Sequence, residues 1–168
     1  SKEWAEMLGY TPKEINNYPH APWWHFDEER GGTVIDESWG NPTAEIIGYL
    51  FKYHEFVEKL DPQELLSMAI DKLNEKEAFN SEHEIYCYLR LYRLIPEQKR
   101  EEIKNSLKIA VGQLVNKNRE VWNKYVPQPL NFIEDPESPK FGLNDEIINE
   151  NLNFLVDKME KGGLIRPN

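Results

Sequence analysis

Cysteine is nearly absent: Cys87 stands alone among 168 residues. That excludes an internal disulfide and any zinc site built on several cysteines. Cys87 lies in the apolar stretch Ile85-Tyr86-Cys87-Tyr88-Leu89, the setting of a buried, unreactive thiol rather than a nucleophile. Long apolar runs are missing too. None approaches the roughly 20 residues a membrane span requires. No signal peptide is visible, so a cytoplasmic location is the default expectation, while the opening on Ser1 rather than Met suggests a processed or cropped chain. Positive charge is in short supply, with 20 Lys and Arg against 30 Asp and Glu, a net charge of -10 and a pI near 4.9. Such a field repels phosphate, which argues against nucleic acid and membrane surfaces as partners. The densest basic pair, Lys99-Arg100, runs straight into Glu101-Glu102 and reads as a solvated helix face.

Period-two alternation is also lacking. Helical punctuation takes its place. Thr11-Pro12-Lys13-Glu14 and Asp61-Pro62-Gln63-Glu64 each put a capping residue before proline, with glutamate three residues after the cap. Asn41-Pro42 starts a helix in the same way, Ser81-Glu82-His83-Glu84 is a capping box without proline, Pro96 opens another helix and Asn144 caps the last. Apolar residues follow at spacings of three and four. They are Ile46, Ile47, Leu50, Phe51, Tyr53 and Val57 in a helix from Pro42 to about Lys59. From Pro62 to about Leu73 they are Leu65, Leu66, Met68, Ala69, Ile70 and Leu73. From Ser81 to about Leu94 they are Ile85, Tyr86, Leu89, Tyr92 and Leu94. From Pro96 to about Asn116 they are Ile103, Leu107, Ala110, Val111 and Leu114, and from Asn144 to about Met159 they are Ile147, Ile148, Leu152, Leu155, Val156 and Met159. The fold class is all-α, a single helical domain over residues 1–168. Short connections between residues 60 and 96 predict antiparallel neighbours there.

Two connections are long: 18–40 and 125–139. Both are rich in aromatic and apolar residues, so both are expected to be ordered and packed. The first holds the densest chemistry in the chain, His20-Ala21-Pro22-Trp23-Trp24-His25-Phe26-Asp27-Glu28-Glu29. His20, His25, Asp27 and Glu28 carry metal-ligand atoms at close spacing, but the pattern matches no strong motif, and no metal is assigned. Trp23 and Trp24 point to opposite sides of an extended segment. One is expected to anchor the loop and the other to face a cavity, with anchoring favoured. Glu45, near a helix start, is expected to tie down the preceding loop, or else to serve as a pocket acid. Tyr49 and its fellow tyrosines line either core or cavity. Gly48, inside a helix, signals close approach of a neighbouring helix or of a ligand.

The order of these segments resembles the prenyltransferase-like α/α-toroid superfamily, which also holds the terpenoid cyclases, in a bacterial branch with no assigned reaction. The resemblance rests on Pro19-His20-Ala21-Pro22-Trp23-Trp24, on Asn41-Pro42-Thr43-Ala44-Glu45-Ile46-Ile47-Gly48-Tyr49-Leu50, on Val126-Pro127-Gln128-Pro129-Leu130, on Ser138-Pro139, and on the run from Asn151 to Gly163. It implies antiparallel helical hairpins in a toroid-like ring. About six or seven helices fit in a chain of this length, so the ring is half of a closed one or the chain is a fragment of a larger toroid. An open half exposes an apolar edge, which a homodimer would cover. The superfamily's catalytic sets are not matched. Asp27-Glu28-Glu29, Asp36-Glu37 and Asp135-Pro136-Glu137 do not fit the acid or magnesium motifs, and Cys87 has no aspartate two residues before it. The repeated Gln…Gly-Trp signature survives only as Met159-Glu160-Lys161-Gly162-Gly163-Leu164. The resemblance implies the scaffold without its reaction or cofactors.

Three functions compete. The favoured one is a binding module that takes an apolar small molecule or a peptide on an aromatic concave face, at His20, Trp23, Trp24, His25, Asp27, Glu45 and Tyr49. The second is a carboxylate-dependent glycoside-processing enzyme using Asp27, Glu28 and Asp36 with tryptophan platforms. The third is a helical-repeat interaction scaffold.

Overall fold

Capping side chains set where the helices begin. The computed structural model describes residues 11–162, and among these every regular element is helical, with one isolated antiparallel bridge between Asp27 and Gly32. The α-helices are α1 (Gly40–Lys52), α2 (Pro62–Asn74), α3 (Glu82–Leu94), α4 (Glu97–Leu114) and α5 (Asp145–Gly162). Asp61 Oδ1 accepts the Gln63 and Glu64 N–H groups at 2.8 and 3.3 Å to open α2. Asn144 Oδ1 accepts the Ile147 N–H at 3.0 Å to open α5. No helix among the described residues is long and apolar enough to cross a membrane.

Two of the expected helices are shorter. The Thr11-Pro12 start yields only the 3-10 turn Pro12–Asn17. The helix expected to reach Lys59 ends at Lys52, where Tyr53 leaves helical geometry, and a 3-10 turn, His54–Phe56, follows. The physical reason is burial: Lys52, Tyr53, His54, Glu55 and Phe56 are all exposed, so no packed face extends the helix. Ile46, Tyr53, Met68, Leu152, Val156 and Met159 had the spacing of core residues but face solvent.

Helices α1 to α4 pack in a ring of four. α1 lies most extensively against α3 and also touches α2, while α4 completes the ring by contacting both α2 and α3. The consecutive helices α2 and α3 therefore sit on a diagonal rather than as the adjacent pair that their short connection predicts. They meet across the core, where buried Tyr88 donates its hydroxyl to the Ala69 carbonyl at 3.1 Å. Burial pushes this hydroxyl's pKa upward, so it stays protonated. The intimacy of α1 and α3 depends on glycine. A Cβ on Gly48 would stand 2.9 Å from Leu94 Cδ1 and 3.2 Å from Leu91 Cα, so the close approach marked by Gly48 is that of a neighbouring helix.

α5 docks on the segment between α4 and itself, contacting the 3-10 turn Arg119–Val121 and, within the second long connection, the turn Pro129–Phe132. Asn151, fully buried, accepts the Leu130 N–H at 3.0 Å and donates to Gln128 Oε1 at 2.9 Å. Trp122, also fully buried, donates its indole N–H to the Asn116 carbonyl at 2.8 Å and meets Phe154 edge-on.

Candidate functional site

The aromatic loop holds itself together from within. Asn16 pairs with both backbone groups of Phe26, each at 2.8 Å. Asp27 closes a tight turn, its Oδ1 accepting the Arg30 N–H at 2.8 Å and its backbone pairing with Gly32. That Arg30 bond, more than any other contact, holds the Asp27 carboxyl below its ordinary pKa. The His20 and His25 rings stack at 5.5 Å, with Nε2 of the first 3.3 Å from Nδ1 of the second. His20 Nδ1 lies 2.6 Å from the Tyr18 carbonyl, so Nδ1 carries the hydrogen and donates. Trp23 is 55% exposed and Trp24 half-buried, and both lie in the 3-10 turn Pro22–Trp24 rather than in the extended segment expected for the pair.

These positions do not assemble the chemistry that their spacing suggests. Among the described residues no three His, Cys, Asp or Glu side chains converge to hold a metal ion. Of the acids considered for glycoside chemistry, Asp27 is committed to its turn. Asp36 accepts both the N–H and the hydroxyl of Thr33, at 2.8 and 3.0 Å. A carboxylate engaged in this way serves the backbone, not a substrate.

Glu45 lies elsewhere. Its Oε2 accepts a hydrogen bond from Arg90 Nη1 at 2.8 Å, tying α1 to α3 rather than α1 to the loop. The loop-tethering part expected of it belongs to Glu84. That side chain is 2% exposed, accepts the Gly40 N–H through Oε1 at 2.9 Å and pairs with Lys76 through Oε2 at 2.6 Å. The predicted capping box at Ser81 is accordingly half made. Ser81 Oγ accepts the Glu84 N–H at 3.3 Å, while the carboxylate reaches to the start of α1.

Glu45 and Tyr49 instead line a groove of about 400 Å³ with Lys52, Arg90, Arg93, Leu94 and Glu134. Arg90 Nε lies 3.8 Å from Glu134, and Arg93 Nη1 donates to Glu134 at 2.8 Å. Partial burial works against the Arg90 charge, but the Glu45 carboxylate outweighs it and the pKa rises. The Glu134 hydrogen bond likewise raises that of Arg93. On α1 and the turn after it Ile46, Tyr49, Tyr53 and Phe56 are exposed, the last 75%, and Tyr49 of these lines the groove. Ile46 and Tyr49 share one face of α1 at a spacing of three, while Tyr53 and Phe56 lie beyond its end, at and within the 3-10 turn.

Sequence reasoning found Glu45 and Tyr49 but missed Lys52, Arg90, Arg93 and Glu134. Arg90 and Arg93 carried a usable signal: two arginines one turn apart on a helix of an acidic chain. Glu134 carried none, because only the packing of the second long connection brings it to α3. Cys87 is buried with its pKa pushed up to about 11, chiefly by desolvation, as an inert thiol should be. No family model, curated protein or solved structure matches this chain.

Proposed function

We propose that this protein is a non-catalytic helical binding module that takes a peptide segment of a partner protein along α1. The observation that carries the reading is the exposed group Ile46, Tyr49, Tyr53 and Phe56. Large apolar side chains exposed singly need no explanation, but four close together on α1 and the turn after it mark an interaction surface. The four side chains lie open to solvent. A small apolar molecule favours a concavity that encloses most of its surface, whereas a peptide chain can follow an open line. The commitment of Asp27 and Asp36 to turns weighs against the glycoside-processing alternative.

The toroid-like arrangement and kinship with the prenyltransferase-like scaffold belong to this proposal, as does a cytoplasmic location. They rest on the segment order, the all-helical fold and the unmatched catalytic motifs. The test is a selection of displayed peptides on the purified protein, followed by chemical-shift mapping. Selected peptides should perturb Tyr49, Tyr53 and Phe56, and Tyr53→Ala with Phe56→Ser should abolish binding. Peptides that map elsewhere, or a small molecule released on unfolding in native mass spectrometry, overturn the reading.

A second-copy interface has its own observation. Leu152, Val156 and Met159 form an exposed apolar stripe along α5, and a homodimer would cover it. Light scattering that returns a monomer mass at high concentration removes this part of the proposal.

A further inference from the structure

We propose that residues 134–139 form a strap with an ionic latch, Glu134 on Arg93, and that lifting it opens an apolar pocket into the groove beside α1. The inference stands whether or not α1 takes a peptide. It starts from a shared wall. A void of about 10 Å³ lies under the strap, with Leu89, Tyr92, Phe132, Pro139 and Phe141 in its lining. Arg93 and Glu134 line this void and the groove alike. Arg93 Nη1 donates to Glu134 Oε2 at 2.8 Å, so this bond stands between the two spaces.

Little else holds the strap down. Asp135 closes a turn within it, its Oδ1 accepting the Glu137 N–H at 2.9 Å and its carbonyl the Ser138 N–H at 3.1 Å. Pro136 and Pro139 have no N–H to donate. Among the described residues no backbone group of 134–139 bonds to another element. The other polar ties are ion pairs at 3.8 Å, Arg90 with Glu134 and Arg93 with Asp135. Both arginine side chains are about half exposed, and pairs of this kind are weak singly and screened by salt. The surroundings are fixed by contrast. Buried Phe132 packs on Tyr86 and buried Phe141 meets Tyr92 edge-on, each at 5.3 Å. Arg100 donates to the Ile95 and Arg93 carbonyls at 2.8 and 3.0 Å, which secures the end of α3. Just past the strap, Phe141 and Gly142 turn the chain with φ of 45° and 87°. A side chain rarely tolerates that region, and burial of the Phe141 ring holds it there. A weakly bonded segment between two buried anchors opens locally more readily than the core. Shut, the strap ends the groove on a charged wall. Lifted, it extends the groove onto Leu89, Tyr92 and Phe132.

The experiment follows the Leu89 methyls and the Tyr92 and Phe141 rings of the full chain by relaxation dispersion, with benzene as the probe of the opened space. The latch is released in two ways, by Glu134→Gln and, in the unaltered chain, by high salt. Glu102→Gln is the control, because it removes another exposed ion pair, with Lys99 at 2.8 Å on α4. Glu134→Gln should raise the open population about two- to five-fold. High salt should raise it in the unaltered chain, and benzene should shift the Leu89 methyls more as it rises. Glu102→Gln should change none of these signals. An open population that ignores both Glu134→Gln and salt, or that responds equally to Glu102→Gln, overturns the latch. An opened strap with no benzene shift at Leu89 overturns the pocket.

Discussion

The two long connections look alike as sequence and behave oppositely. Both mix aromatic, proline and acidic residues. The 125–139 connection is a structural wedge, with Pro129 and Phe132 buried, adjoining buried Trp122 and locked to α5 by Asn151. The 18–40 connection is tied to a distant element only at its end, where the Gly40 N–H donates to Glu84, and it leaves Trp23, Tyr18 and Val34 in solvent. Aromatic content therefore does not decide whether a loop packs. What decides is whether a side chain from another element satisfies the loop's backbone, because a buried N–H without a partner is costly. Asn151 supplies that partner in the middle of the second connection, at Leu130, whereas in the first Glu84 reaches only the last residue, Gly40, and Asn16, Asp27 and Asp36 serve the rest from within or beside the loop.

The comparison predicts unequal responses to the same substitution. Trp122→Ala should cost about 3–5 kcal/mol of stability, seen as a large drop in the urea midpoint. Trp23→Ala should stay within about 0.5 kcal/mol, and similar losses from the two would break the contrast. Asn151→Leu comes next, at about 1–3 kcal/mol, since it strands the Leu130 N–H. Hydrogen exchange at Leu130 should accelerate in this variant while exchange at Phe26 does not.

A milder lever is pH. The Arg30 N–H bond holds the folded pKa of Asp27 below that of a free aspartate. Its contribution is therefore present above about pH 4 and lost as pH falls through the lower, folded value. The anchors of the second connection are amides and an indole, which do not titrate there. Acidification should shift the Gly31 and Gly32 amides before those of Leu130 and Asn151, and simultaneous loss would refute the distinction. The smallest effect is expected from His20→Ala. It should leave the urea midpoint unchanged within about 0.5 kcal/mol while raising exchange near His25.

Much of the helical layout was legible because its signals are local. Asp61-Pro62, Ser81 and Asn144 start helices where their side chains can reach the first free N–H groups. The spacing of Ile103, Leu107, Ala110 and Val111 marked a face that is fully buried. Partner choice is not local. Glu84 has the position of a capping-box glutamate, yet its carboxylate bonds to Gly40, 44 residues away. Glu45 reaches Arg90 at a separation of 45 residues. The groove was half legible for the same reason: Tyr49 and Glu45 share one helix, while Arg90, Arg93 and Glu134 come from elsewhere.

By itself the sequence determined the all-helical class, most helix starts, the inert Cys87 and the close approach at Gly48. Each follows from caps, periodicity or side-chain size within a few residues. Only the tertiary structure decided that α2 and α3 lie across a diagonal, that Tyr53 and Phe56 stay in solvent, and that Lys52, Arg90 and Arg93 share one groove. Those outcomes depend on which of several adequate apolar faces bury against each other, a competition settled by packing of the whole chain.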